Sequence, residues 1–129
     1  MAFETHRRVE FRDTDAAGIV HFSAFFPWME SAAHEMLRAA GVKILPDGHD
    51  DQETVTWPRV SACCDYRNAA RFEDELVVHV SVSRIGTSSI QHSIRFARPE
   101  PDGSVTPIAE GKFVVVCCRL RPGWGLEKT

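Results

Sequence analysis

From Phe25 to Ala40 the apolar residues Phe25, Met29, Ala32, Ala33, Met36, Leu37 and Ala40 recur at the i, i+4, i+7, i+8 spacing of one helical face, with Glu30, Ser31, Glu35 and Arg38 on the other side. The pattern predicts one long helix over Ser23–Ala40. Ser23 suits its N-cap, Pro27 falls in the first turn where a missing N–H costs little, and Gly41 ends it. Elsewhere the period is two. Val78, Val80 and Val82 alternate with His79, Ser81 and Ser83, and strands are predicted at Glu4–Phe11, Thr54–Tyr66, Glu75–Ile85, Ser88–Ala97 and Ile108–Leu120. Gly86-Thr87 and Pro101-Asp102-Gly103-Ser104 read as turns, Pro46–Glu53 as a polar loop, and the tail after Pro122 as short and irregular. One helix with a broad alanine-rich face, followed by a run of strands, predicts an α+β domain. A curved antiparallel sheet of about five strands would wrap that helix. Its open edges favour pairing with a second copy, so a homo-oligomer is expected.

Composition narrows the classes. With 129 residues the chain is expected to be one domain, residues 1–129, with a sound core but little room for a deep private cavity. A net charge of -3, with Lys and Arg scattered, argues against a nucleic-acid partner. No leader-like N-terminus and no apolar run approaching about 20 residues is seen, so a cytoplasmic protein with no membrane partner is expected. The cysteines form two adjacent pairs, Cys63-Cys64 and Cys117-Cys118. Neighbours on a strand point to opposite faces, so neither pair clamps zinc, and reduced, mostly buried thiols are expected.

The chemistry concentrates in Phe11-Arg12-Asp13-Thr14-Asp15-Ala16-Ala17-Gly18-Ile19-Val20-His21-Phe22, which sets two carboxylates and a glycine turn directly before the helix. A helix start offers unpaired N–H groups and partial positive charge, which suits a developing oxyanion. A carboxylate beside it can activate water as general base or attack a carbonyl itself.

This motif, with Val9 and Glu10 before it and Phe25, Trp28, Met29 and Glu30 after it, resembles the hot-dog-fold acyl-CoA thioesterases of the 4-hydroxybenzoyl-CoA thioesterase type. A second block, Asp65–Leu76, is similar to the same family. The resemblance implies Asp15 as the catalytic carboxylate and the Phe22 backbone N–H as oxyanion donor, with His21 beside it. It implies a dimer or tetramer with sites between subunits, acyl-CoA as substrate, and no cofactor beyond the coenzyme A of that substrate. Gly18, Val20, Phe25 and Trp28 fall where substrate would bind; Phe22, Phe25, Phe26 and Trp28 read equally as an acyl pocket or, for most of them, as buried core, and their aromatic density favours an aromatic or medium acyl group over acetyl. The family often has an aromatic residue in place of His21 and a proline in place of Ala69. Some members cluster basic residues near Gly86-Thr87-Ser88 for the coenzyme A phosphates, where this chain keeps Arg84; Arg67, Arg71 and Lys112 are further candidates.

The remaining polar residues are weighed on local chemistry. Asp13 is expected to make an Asx-type turn bond. His21 reads equally as a proton-transfer group or a packed ring. Glu30 and His34 make an i, i+4 helix pair, for which a structural role is favoured over catalysis. The six histidines show no metal-ligand spacing, and no serine-hydrolase elbow, P-loop or dinucleotide fingerprint occurs. Two rival functions remain: a hydratase or dehydratase of acyl thioesters, and a non-catalytic acyl-CoA or acyl-carrier binding module.

Overall fold

The computed structural model describes residues 2–44, 54–120 and 126–128. One helix, α1 (Phe25–Ala39), lies against a five-stranded antiparallel sheet of β1 (Ala2–Arg8), β3 (Arg59–Tyr66), β4 (Glu75–Ile85), β5 (Ser89–Pro99) and β6 (Val105–Val116). The strand order is β1-β4-β5-β6-β3. Register shifts at Arg59/Ser61, Val82/Arg84 and Phe96/Ala97 interrupt three of the four pairings. Such bulges bend strands, and here they help the sheet curl around the helix. This is the wrapped-helix α+β arrangement expected from the sequence.

Alternation decides which side packs. Leu76, Val78 and Val80 of β4, Ile94 and Phe96 of β5, and Ile108, Phe113 and Val115 of β6 face Phe25, Met29, Ala32, Ala33 and Met36 of α1. Gly111 sits under the helix: a Cβ built there would lie 2.6 Å from the Met29 sulfur and 3.1 Å from the Cys63 carbonyl oxygen. The glycine lets α1 approach the sheet at that point.

The structure differs from the expectation at several boundaries. The helix starts at Phe25, preceded by a 3-10 turn at Phe22–Ala24, so Ser23 is not its cap. Its C-terminal end is as expected, with Gly41 N donating to Arg38 O (3.0 Å) and Val42 N to Leu37 O (2.9 Å). The first strand ends at Arg8, because Val9 N turns to donate to Asp74 O and Phe11–Asp13 forms a 3-10 turn. The predicted strand Thr54–Tyr66 breaks at Pro58, which has no N–H, and Ile108–Leu120 breaks at Cys117, whose N–H donates to Ser88 O. The detached pieces β2 (Thr54–Thr56) and β7 (Cys118–Leu120) pair with each other, and β7 also pairs with β8 (Leu126–Lys128), in a second, three-stranded sheet. Part of the predicted irregular tail is therefore strand; residues 121–125 and the predicted loop at 46–53 lie outside the described residues. The thiols are less hidden than expected: Cys63 is exposed, Cys64 and Cys117 are half-buried, and only Cys118 is buried.

A polar network ties α1 to β1. Arg7 donates to Ser31 Oγ (2.8 Å) and to the Glu35 carboxylate, and Thr5 Oγ1 donates to Glu35 Oε1 (2.9 Å). Burial pushes the Glu35 carboxyl up, but the Arg7 and Thr5 hydrogen bonds outweigh it and hold its pKa below the usual 4.5. A depressed carboxyl pKa contributes stability above its unfolded value, and that contribution is lost as pH falls through the folded value. Urea unfolding at pH 7 should therefore find Glu35→Gln about 1 kcal/mol less stable than wild type. The gap should narrow as pH falls below 4.5 and close once pH has passed through the lowered folded pKa, where both chains carry a neutral side chain. An equal gap at pH 7 and pH 3 would rule out this ionic role.

Candidate active site

The loop before the helix is a small hairpin. Thr14 and Val20 pair across it, Asp15 N donates to Ile19 O (2.9 Å), and Gly18 N donates to Asp15 O (3.0 Å). Gly18 makes the reversal at φ 81°, a left-handed conformation that glycine adopts without strain. The Asp15 carboxylate takes part in its own turn, with Oδ1 accepting from Ala17 N at 2.8 Å. The Asx-type bond expected of Asp13 thus belongs to Asp15. Asp13 instead accepts from Glu10 N at 2.9 Å through Oδ2, closing the turn at the end of β1, and its carbonyl receives the His21 N–H at 2.8 Å.

The hairpin docks on the segment joining β3 to β4. Val20 N donates to Ala70 O (2.8 Å), and Ile19 bridges to Arg71. That segment is held from below: Arg67 N donates to Ile108 O (2.8 Å), Asn68 Nδ2 to Pro107 O (2.7 Å), and Arg98 Nη1 to both Ala69 O and Asp74 Oδ2 (3.0 Å each). Both walls therefore hang on the sheet.

Between them opens a cleft of about 380 Å³, lined by Asp15, Val20, Phe22, Phe25, Tyr66 and Arg67 among others. At the helix start, His21 Nδ1 accepts from Ser23 N (3.2 Å) and contacts Ser23 Oγ (2.7 Å), while Ala24 N donates to His21 O (2.9 Å). The next amide, Phe22 N–H, has no acceptor among the described residues. Tyr66 hydroxyl donates to Phe22 O at 3.1 Å, which fixes the next peptide, while the peptide carrying the Phe22 N–H is held through His21 O by Ala24 N. Burial, then the neighbouring Cys64, raises the Tyr66 pKa, so the phenol stays protonated as a donor. Burial likewise pushes the Cys64 thiol up to about 11, which leaves it a poor nucleophile at neutral pH.

The residues singled out in the sequence distribute unevenly. Asp15, Val20, Phe22, Phe25 and Arg67 share the cleft wall, and Gly18 shapes the hairpin that carries Asp15. His21 is engaged in capping, with its ring stacked on Phe22 at 4.5 Å. Trp28 packs behind the cleft, edge-on to Phe25 at 5.4 Å and against Phe96 at 6.1 Å. Arg84 is not brought in: Tyr66 lies level with Val78 across the sheet, and Arg84 is six residues further along β4, about 20 Å away. Sequence reading missed Tyr66, whose partner Phe22 is 44 residues distant. Arg67 reaches Glu110 at 3.6 Å.

Residues 9–123 match the thioesterase-like superfamily. The chain belongs to that family. A 1,4-dihydroxy-2-naphthoyl-CoA hydrolase of Synechococcus sp. (strain CC9605) is 35% identical over 89 residues, covering 67% of this chain and 60% of the relative. The chain spans about 60% of the length of the curated relatives it matches. The hot-dog fold of the family is found again in solved structures. A 1,4-dihydroxy-2-naphthoyl-CoA thioesterase from Synechocystis superposes with a TM-score of 0.82 at 20% identity, covering 100% of this chain and 88% of that one. The 4-hydroxybenzoyl-CoA thioesterase from Pseudomonas sp. strain CBS-3 superposes with 0.79 at 21% identity, covering 99% and 91%. Among the described residues no group of His, Cys, Asp and Glu is arranged to hold a metal ion, and no helix is long and apolar enough to cross a membrane.

Proposed function

We propose that the protein hydrolyses the thioester of an aromatic or medium-chain acyl-CoA. The observation that carries this reading is the pairing, in one cleft, of a carboxylate on a rigid hairpin with an unpaired backbone N–H at a helix start. The relatives named as naphthoyl-CoA and hydroxybenzoyl-CoA hydrolases support the substrate class.

In this reading the thioester carbonyl sits against Phe22, whose N–H takes up the charge that develops on oxygen; such a donor is worth about 3–4 kcal/mol in the transition state. The Ala17 N–H orients Asp15 through Oδ1. Oδ2, with no donor among the described residues, then removes a proton from the attacking water, or attacks the carbonyl to form an anhydride that water opens. Coenzyme A departs as the thiol. Tyr66, backed by the buried Phe25, offers its exposed ring to the acyl group, and Arg67 stands at the cleft for the nucleotide phosphates. His21 supports this arrangement by capping the turn that presents Phe22. The protein works as a homo-oligomer, dimer or tetramer, because the outer edge of β3 has no partner strand among the described residues.

Free-thiol release from a panel of aromatic and aliphatic acyl-CoAs tests this directly. Turnover is expected on aromatic and medium-chain members, with acetyl-CoA the poorest. No release from any of them would move the reading to the hydratase or the binding module.

A further inference from the structure

The outer edge of β3 has no partner among the described residues, and seven of its eight positions are exposed. Val60 is 61% and Tyr66 46% exposed. The other outer strand, β1, is guarded by the charged Glu4 and Arg8, each in an ion pair. On β3 the charges stand only near the ends, at Arg59 and Asp65, with Val60, Ser61, Ala62, Cys63 and Cys64 between them, and an edge open over that stretch is where a second copy pairs. A two-fold axis normal to the sheet makes that pairing antiparallel and continues the sheet, with both helices on one side.

A cleft lies near each end of β3, on the helix-facing side. One is the Asp15 cleft beside Tyr66. The other, of about 280 Å³, is walled by Phe26, Met29, Glu30, Arg59, Ala62 and Phe113. Its Arg59 guanidinium lies 4.9 Å from the centre of the Phe113 ring. Arg59 Nε is 3.7 Å from Glu30 Oε2, too far for a hydrogen bond, and neither Nη donates to a described residue. A guanidinium stacked on a ring with its fork open is arranged to receive an oxygen acceptor. Within one chain Arg59 and Tyr66 are seven strand positions apart, about 23 Å, too far for one acyl group of modest size to reach both. In the antiparallel pair the Arg59 end of one β3 lies against the Tyr66 end of the other.

We propose that Arg59 of the partner subunit closes the Asp15 cleft and binds an oxygen substituent, hydroxyl or carboxylate, at the distal end of the acyl group. The proposal rests on the thioesterase reading and adds where acyl selectivity resides. The acyl body lies along the exposed Tyr66 in the Asp15 cleft, and its substituted end meets the open guanidinium fork across the two-fold axis.

Selectivity and mixed dimers test it. Arg59→Met should lower kcat/KM for 4-hydroxybenzoyl-CoA and 4-carboxybenzoyl-CoA by about 10–100-fold, with benzoyl-CoA within about threefold; the larger loss tells hydroxyl from carboxylate. Arg59→Lys should recover part of the loss. Equal losses on all three substrates would overturn the selectivity role. Dimers carrying Asp15→Asn in one chain and Arg59→Met in the other, isolated by two tags, should show half the wild-type rate with wild-type selectivity, because one of their two sites keeps both native groups. Arg59→Met selectivity in the mixed dimer would place Arg59 in the same chain's site and overturn the proposal. The interface is read without activity. Wild type should be at least a dimer by light scattering at micromolar concentration and Val60→Asp monomeric; a monomeric wild type overturns the trans site, whereas a dimer that releases no thiol overturns the hydrolysis reading instead.

Discussion

Asp15→Asn should fold like wild type and lose about 10²–10⁴-fold in thioester hydrolysis, the contribution typical of a positioned general base. The two halves of this expectation come from different oxygens of one carboxylate. Oδ1 accepts the Ala17 N–H and closes the turn that leads to Gly18. An asparagine amide oxygen accepts the same bond, so the hairpin, its bridge to Val20 and its dock on Ala70 survive. The other position becomes an NH₂, which neither accepts a proton nor attacks a carbonyl. The loss should appear in kcat rather than KM, because the aromatic walls and Arg67 are untouched. Asp13→Asn is the informative contrast: its carboxylate serves Glu10 N, so little rate should be lost. Steady-state thiol release with both variants, alongside urea unfolding, separates the cases. Near wild-type turnover in Asp15→Asn would remove Asp15 from the chemistry.

The parts of this molecule that were legible in the sequence are those set by local periodicity. The β4 pattern of alternating valines returns as a strand with the predicted ends, and the helix stripe returns as the buried face of α1. What was not legible depends on contacts distant in the chain. Pro58 and Cys117 look like interruptions inside continuous β-rich runs, yet at those points the chain leaves one sheet and enters another. Nothing local in residues 54–66 or 108–120 says which of two sheets will supply the next hydrogen bond. The site divides the same way. The motif from Phe11 to Phe22 placed Asp15 and Phe22 together because they are neighbours in sequence, and the glycine turn signalled the hairpin between them. Tyr66 joins the cleft only because β3 runs beside the helix start. Arg84 was placed by resemblance, and the sheet register carries it to the far end of β4. The task of His21 also hides in sequence, since a side chain that caps a turn and one that shuttles protons are the same residue type before a helix.

Phe96→Ala should destabilise the fold by about 3–5 kcal/mol, a large share of the total of about 5–15 kcal/mol typical of a domain. Phe96 is 1% exposed and projects from the middle of β5 into the layer beneath the cleft. Its ring meets Phe25 edge-on at 5.2 Å and Trp28 at 6.1 Å, and Phe25 in turn touches Tyr66 at 5.4 Å. The chain of contacts runs from the core to the cleft wall and ends on the Tyr66 hydroxyl that holds the Phe22 carbonyl. Truncation at its root therefore leaves a cavity and loosens the Phe22–Ser23 peptide, the one that follows the N–H of the site. The neighbours are poorly placed to fill the gap, because Phe25 and Trp28 are fixed by the helix and Ile94 by the sheet. Phe22→Ala makes the control. Phe22 is 62% exposed and contributes its backbone to the site, so the same truncation should cost less than about 1 kcal/mol. Urea unfolding of both variants decides the matter: a loss below about 1.5 kcal/mol for Phe96→Ala would mean that the aromatic chain is not what holds the cleft wall.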